Sequence, residues 1–271
     1  MQKIQGIRRR LQDYLRGHEQ ESDTEKRLGR ELQQERERRR RAENMLKQRR
    51  EDGALAPAAA EQTHALPESD ASINKLQIFR ALISPLKPGK LLDLGSGRGN
   101  FSVAAARLGW EVTAVDARAM RWPDAEKEPK QAKLIRSVNW IVSDVREFPI
   151  RDGEYDLICI LGLLHHLEVD DQIKLLRSCS GTLTLVDTRI APKIADTEGP
   201  YEGMYIREHG ETREERDQVP TASWGNATSF RHTEESLLRL VRDCGYSKMM
   251  SMKPPHRQNY TMFLCLPPPK S

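Results

Sequence analysis

The ten residues from Leu91 to Asn100, L-L-D-L-G-S-G-R-G-N, run an apolar segment into a turn with glycine at alternate positions. Such a turn suits the holding of a small anionic group against the main chain. Gly95, Gly97 and Gly99 carry no side chain to keep a ligand away, and each tolerates positive φ without steric cost. Residues 101–108, rich in alanine, read as a helix whose first free N–H groups and positive dipole end face the turn. Seventeen residues past Gly99, the run from Glu111 to Val115 ends in Asp116. A carboxylate at the tip of a second strand is placed to accept both hydroxyls of a ribose. The glycine spacing is G-x-G-x-G, with Asn100 where a dinucleotide-binding turn has its third glycine. Asp93, before the turn, would repel a pyrophosphate and attract an ammonium, so an amino-acid moiety fits this end.

On these residues the segment closely resembles the first motif of class I S-adenosylmethionine (SAM) dependent methyltransferases. The resemblance implies that Asp93, Gly95, Ser96, Gly97, Gly99 and Asn100 surround the methionine part of SAM, and that Asp116 and Ala117 hold its ribose. It also places at the end of a third strand an acid that accepts from the adenine amino group, here Asp144 followed by Val145, and adds Leu161 at the end of the fourth. Ligands of open parallel sheets bind at the carboxyl ends of the strands, so Asp93, Asp116 and Asp144 are expected to converge on one edge.

At that edge the fourth strand runs Y-D-L-I-C-I-L-G-L-L-H-H-L, placing His165 and His166 just past its end, while the fifth ends with Asp187. Neighbouring strand ends bring histidine and carboxylate together, the pairing that makes imidazole a competent base. The arrangement resembles that of small-molecule and sugar O-methyltransferases. It implies His166, or else His165, as general base with Asp187, and catalysis by proximity alone is the alternative. Residues 191–231 show little periodicity and read as a lid or substrate insertion. Within them Tyr201, Tyr205, Trp224 and Asn226 offer flat apolar faces beside hydrogen-bonding groups, which suits a polar ring such as a sugar. The loop after strand four lacks the Asn/Asp-Pro-Pro-aromatic run found in amino-methylating enzymes of nucleic-acid bases. Cys159 lies inside the strand, where it cannot serve as a cytosine nucleophile. No metal-ligand spacing appears.

The elements that must position these residues alternate. Strands are expected near Lys90–Leu94, Glu111–Asp116, Val138–Ser143, Tyr155–Leu161 and Leu183–Asp187, with helices around 101–108 and 170–177 between them. A helix over 73–83 ends before Pro85, and another from Thr233 to Cys244 has Thr233 as its cap. Two last strands, Ser247–Lys253 and Tyr260–Leu266, fit a hairpin. The fold class expected is α/β, a doubly wound Rossmann-like sheet of seven strands whose last pair is antiparallel.

The chain has 271 residues, 31% of them charged, and a mean hydropathy of −0.70. Residues 1–52 hold 16 Lys and Arg against 11 Asp and Glu, so the basic balance belongs to this arm. It reads as a long charged helix or weak coiled coil, apolar at both ends of its seam and polar in the middle. Residues 53–71 read as linker and 72–271 as the methyltransferase domain. The arm suggests self-association or a protein partner. Its interleaved glutamates and few aromatics argue against nucleic acid, although an RNA methyltransferase or a non-catalytic scaffold of the same fold remain the rival classes. Four dispersed cysteines, no leader and no apolar run of membrane length fit a cytoplasmic protein acting on a small molecule or glycan.

Overall fold

The computed structural model describes residues 68–119, 122–210, 212–219, 223–253 and 259–269. The arm expected at 1–52 lies outside the described residues, as does the linker up to residue 67. Helix α1 (Glu68–Ile83) starts inside the stretch expected to be linker. It leads to β1 (Lys90–Leu94), α2 (Asn100–Arg107), β2 (Glu111–Asp116), α3 (Ala132–Ser137), β3 (Asn139–Val142) and β4 (Leu157–Leu161). A 3-10 turn (Leu164–His166) precedes α4 (Val169–Cys179) and β5 (Leu183–Arg189).

Five parallel strands in the order β3-β2-β1-β4-β5 form most of the main sheet, extended by the terminal strands β9 (Lys248–Met252) and β10 (Tyr260–Leu266). β10 lies antiparallel between β5 and β9, which gives the seven-stranded sheet of the expected class. Strand residues alternate between two apolar layers, as a two-residue repeat buried on both faces requires. Leu92, Leu94, Ile158, Ile160 and Val186 face α4 and α6 (Glu234–Asp243). Leu91, Leu157, Cys159, Leu161 and Leu185 face Phe79 and Ile83 of α1 and Ala104 and Ala105 of α2. All four cysteines are buried free thiols. α6 begins as expected, with Thr233 Oγ1 accepting the Ser236 N–H at 3.2 Å and Glu234 and Glu235 in the first turn.

Residues 191–231 are more regular than their sequence suggests. They form β6 (Asp196–Glu198), β7 (Tyr201–Arg207), α5 (Arg213–Gln218) and β8 (Thr228–His232), a three-stranded antiparallel sheet with one helix. The β-pattern is hidden because Gly203 stands where an apolar residue would mark the inward face. A Cβ there would lie 2.1 Å from the Arg231 carbonyl oxygen, so close strand approach excludes any larger residue. The small sheet is sewn to the rest by Phe230 N–H to the Leu167 carbonyl (3.1 Å) and Ala191 N–H to that of His232 (2.7 Å).

Candidate active site

The turn after β1 is built from its own main chain. Gly95 and Ser96 N–H both donate to the Val115 carbonyl (2.8 and 3.0 Å), tying the turn to β2. Gly95, Gly97 and Gly99 take φ values of +70°, +56° and +69°, the left-handed region that side chains disfavour. Gly97 N–H donates to Asp116 Oδ2 and Arg118 N–H to Asp116 Oδ1, each at 2.8 Å. Asp116 thus braces the turn with one lone pair of each oxygen, and the other lone pairs suit ribose hydroxyls. Ser96 Oγ accepts from the Trp122 indole at 3.1 Å, and Asn100, exposed, opens α2. Beneath the turn Asp93 is 1% exposed and accepts from Ser102 Oγ at 2.5 Å. Burial, opposed by that hydrogen bond and aided by the Asp116 charge, pushes the Asp93 carboxyl up to about 6.

A cavity of about 340 Å³ opens at the ends of β2 and β3, lined by Ala117, Ser143, Asp144, Glu147, Trp224 and Gly225. Asp144 receives the Arg146 guanidinium (Nε 2.9 Å, Nη2 2.5 Å). Arg146 also donates to the Trp224 carbonyl and to Asn226 Oδ1, both at 3.2 Å. Val145 and Leu161 are buried in the two apolar layers, so each would meet a ligand through its main chain.

Past β4 the two histidines have different surroundings. His165 is 4% exposed, and its Nδ1 accepts the Arg189 N–H at 3.2 Å beside Thr188 Oγ1. Burial, then the neighbouring His166, Arg189, Arg231 and Lys75, push it well below the ordinary histidine range. A neutral ring that accepts at Nδ1 carries its proton on Nε2. His166 is more open, and its Nδ1 lies 3.1 Å from Glu208 Oε1. Glu208 also accepts from Ser229 Oγ (2.7 Å) and the Ser223 N–H (2.9 Å). Burial works to raise the Glu208 carboxyl, yet these bonds outweigh it and hold the group below the usual range. The His166 carbonyl is fixed by Ser223 Oγ and Asn226 Nδ2, both at 2.7 Å.

Four expectations change. The carboxylate that pairs with His166 is Glu208, whereas Asp187 pairs with Lys75 of α1. β5 alternation explains this: Asp187 follows Leu185 onto the α1 face, while the histidines bond Thr188 and Glu208. Tyr201 is not a pocket residue, since it is 6% exposed and its hydroxyl donates to Asp243 at the end of α6. Asn226 is also buried, with its amide spent on Arg146, His166 and the Thr228 carbonyl. Tyr205 packs edge-on against Phe230 (5.0 Å) and its hydroxyl donates to Glu198. Of the four aromatic and amide candidates, Trp224 reaches the cavity, with the Arg118 guanidinium 5.5 Å from its ring. Among the described residues no group of His, Cys, Asp and Glu could hold a metal ion, and no helix is long and apolar enough to cross a membrane.

Sequence reasoning missed Glu208, Ser223, Arg146, Lys75 and Arg189. Glu208 stands 42 positions from its histidine, buried just past the end of β7.

Known proteins share this fold. Residues 91–184 match the family described as a methyltransferase domain. That segment, about a third of the chain, is by this match a SAM-dependent methyltransferase domain. It is 29% identical over 126 residues to the ubiquinone biosynthesis O-methyltransferase of Bordetella avium (strain 197N), covering 42% of this chain and 48% of that protein. Over 81 residues it is 36% identical to the ribosomal protein L11 methyltransferase of Thermus thermophilus, covering 30% and 32% of the two chains. The chain thus spans about half or less of the length of the curated relatives it matches. Among solved structures, the N-terminal domain of EvdMO1 in the presence of SAH and D-fucose superposes with a TM-score of 0.55 at 16% identity, covering 71% of this chain and 81% of that one. The PH0226 protein from Pyrococcus horikoshii OT3 gives 0.50 at 18%, covering 78% and 94%.

Proposed function

We propose that the chain transfers a methyl group from SAM to a hydroxyl of a small, polar, sugar-like acceptor, with His166 as general base. The His166–Glu208 pair carries this reading. Glu208 takes the proton on Nδ1 as its partner, which leaves the Nε2 lone pair as the basic position and stabilises the imidazolium that forms. Ser223 and Asn226 hold the same residue by its carbonyl, so the ring swings on a fixed main chain. The residues present suit SAM: Gly95, Gly97 and Gly99, all at positive φ, leave the main chain of the turn bare of side chains, and the cavity beside Ala117 and Asp144 takes the nucleoside end.

Bound SAM supplies an electrophilic methyl on a sulfonium. His166 Nε2 accepts the hydroxyl proton as the acceptor oxygen bonds to the methyl carbon and the carbon–sulfur bond breaks, leaving SAH. Base assistance of this kind gives about 10²–10⁴-fold, and holding oxygen and methyl at attack distance supplies more. His165 serves as a fixed Nε2–H donor and not as the base. That the EvdMO1 domain was crystallised in the presence of D-fucose as well as SAH supports a sugar-like acceptor.

Calorimetry with SAH, followed by transfer from labelled SAM, tests this. The wild type should bind SAH saturably, and His166→Ala should bind it equally while kcat falls about 10²-fold or more. Near-normal kcat in that variant would remove the base. The arm at 1–52 is proposed as an assembly element. Sedimentation of the full chain should then show a mass that grows with concentration, and a strict monomer would sink that part.

A further inference from the structure

We propose that the acceptor carries an acid group, a carboxylate or a phosphate, and that Arg189, backed by Lys75, binds it beside the hydroxyl that is methylated. This rests on the reading of His166 as the base.

Arg189 is the last residue of β5, at the carboxyl edge where ligands of such sheets bind. Its cross-strand partner on β10 is Tyr260. The Arg189 Nε–H donates to the Tyr260 hydroxyl, and its guanidinium carbon lies 5.1 Å from the centre of that ring. The Lys75 ammonium sits 4.0 Å from the same centre. Two cations therefore share one aromatic ring. The nearby carboxylate, Asp187, is engaged by Lys75. Among the described residues no carboxylate pairs with Arg189, and its two terminal nitrogens meet no protein acceptor.

A guanidinium presents five N–H donors in a planar fork, and here Nε alone is used within the protein. The unused fork matches two oxygens of a carboxylate or phosphate, and a half-buried cation beside another is where an anion gains most. Its position relative to the base is also fixed. The Arg189 N–H donates to His165 Nδ1, and the His165 ring packs 4.3 Å from that of His166. The guanidinium itself lies against the Tyr260 ring, whose centre is 6.1 Å from that of His165, so an acceptor bridging fork and base spans both rings and bears its acid several bonds from its hydroxyl. Burial first, and then the positive charge of His166, Arg189, Arg231 and Lys75, lower the proton affinity of His165.

Labelled SAM and a size-filtered small-molecule extract of the source cells provide the test. The labelled product should be retained on an anion exchanger. Release by phosphatase marks a phosphate and persistence marks a carboxylate, and either supports the proposal. Arg189→Gln should raise the acceptor KM about tenfold or more with SAH affinity unchanged, and Arg189→Lys, which keeps the charge without the fork, should fall between. Label on neutral acceptors, or an unchanged KM in Arg189→Gln, overturns this proposal alone. A wild type that binds SAH and labels nothing overturns the methyl-transfer reading and this proposal with it.

Discussion

Asn226 donates its side-chain N–H to the main-chain carbonyl of His166 at 2.7 Å, while its oxygen accepts from Arg146 at 3.2 Å. Arg146 in turn holds Asp144, so a chain of direct contacts joins the end of β3 to His166. Asn226→Asp keeps the shape and the Arg146 contact but sets an oxygen against the His166 carbonyl. We expect a stability loss of about 1–3 kcal/mol, the cost of an unmet buried polar group. A kcat loss of about tenfold should accompany it, as displaced reacting groups lose rate steeply. Urea unfolding and steady-state kinetics read both, and an unaltered variant would show that Asn226 does not fix the histidine.

Glu208 is the second element of that frame. Glu208→Gln preserves volume and an acceptor oxygen but removes the charge that favours a protonated His166. The loss should fall on kcat by about 10²-fold, with little change in acceptor KM, because the charge on the ring exists in the transition state and not before it. A variant whose KM rises while kcat holds would make Glu208 a binding residue instead.

The glycines of the edge separate two costs. Gly99 and Gly162 both have positive φ, but a Cβ at Gly99 meets Trp140 at 2.4 Å whereas at Gly162 nothing lies within 4 Å. Gly162→Ala should cost about 1 kcal/mol, the backbone penalty alone, and Gly99→Ala about 1–3 kcal/mol more from forced repacking. Equal unfolding midpoints for the two variants would contradict the role given to Trp140.

How much of this could be read from the chain follows from the range of the interactions. The glycine turn, Asp116 and the strand ends are local: a few consecutive residues fix the backbone, and alternation then fixes the face. The β4 histidines were legible for the same reason. Glu208, Lys75 and Arg189 were not, because each owes its place to a partner far along the chain, 112 positions in the Lys75–Asp187 pair. Composition gives no sign of which carboxylate a histidine meets. Tyr201 shows the converse error, since an aromatic in an apparent loop suggested a pocket wall where β7 makes it core.

Two buried histidines are expected to weaken the fold in acid. His232, between Ser236 and the Gln172 side chain, is pushed down to about 3 by burial, from an ordinary 6.5. His165 is shifted in the same direction. Between those values the unfolded chain binds the proton and the folded one does not, so stability is lost as pH falls through 6.5 and continues to fall toward 3. Each such group contributes up to about 1.4 kcal/mol per pH unit. Asp93 acts oppositely, since its raised carboxyl is protonated in the folded state between 3.8 and about 6 and stabilises there on acidification. Two histidines against one carboxyl leave a net loss. Urea unfolding at falling pH should show it, and His232→Asn should flatten the slope, whereas an unchanged slope would assign the acid limit elsewhere.

Asp93 also makes donor binding depend on pH. Its carboxyl stands at about 6 in the free protein because burial disfavours the charge. If the ammonium of SAM or SAH lies against Asp93, as the proposed donor site has it, it favours the ionised form, and binding should expel the proton from any molecule that still carries it. Affinity for SAH should therefore rise as pH rises from 5 toward 7, by up to about tenfold per unit below the carboxyl pKa, and then level off. Calorimetry near pH 5.5 in two buffers of different ionisation heat should show protons released. Asp93→Asn should bind more weakly at pH 7 and lose the dependence. Proton uptake, or an affinity flat from pH 5 to 7 in the wild type, would mean that Asp93 braces Ser102 and α2 without sensing the donor's charge.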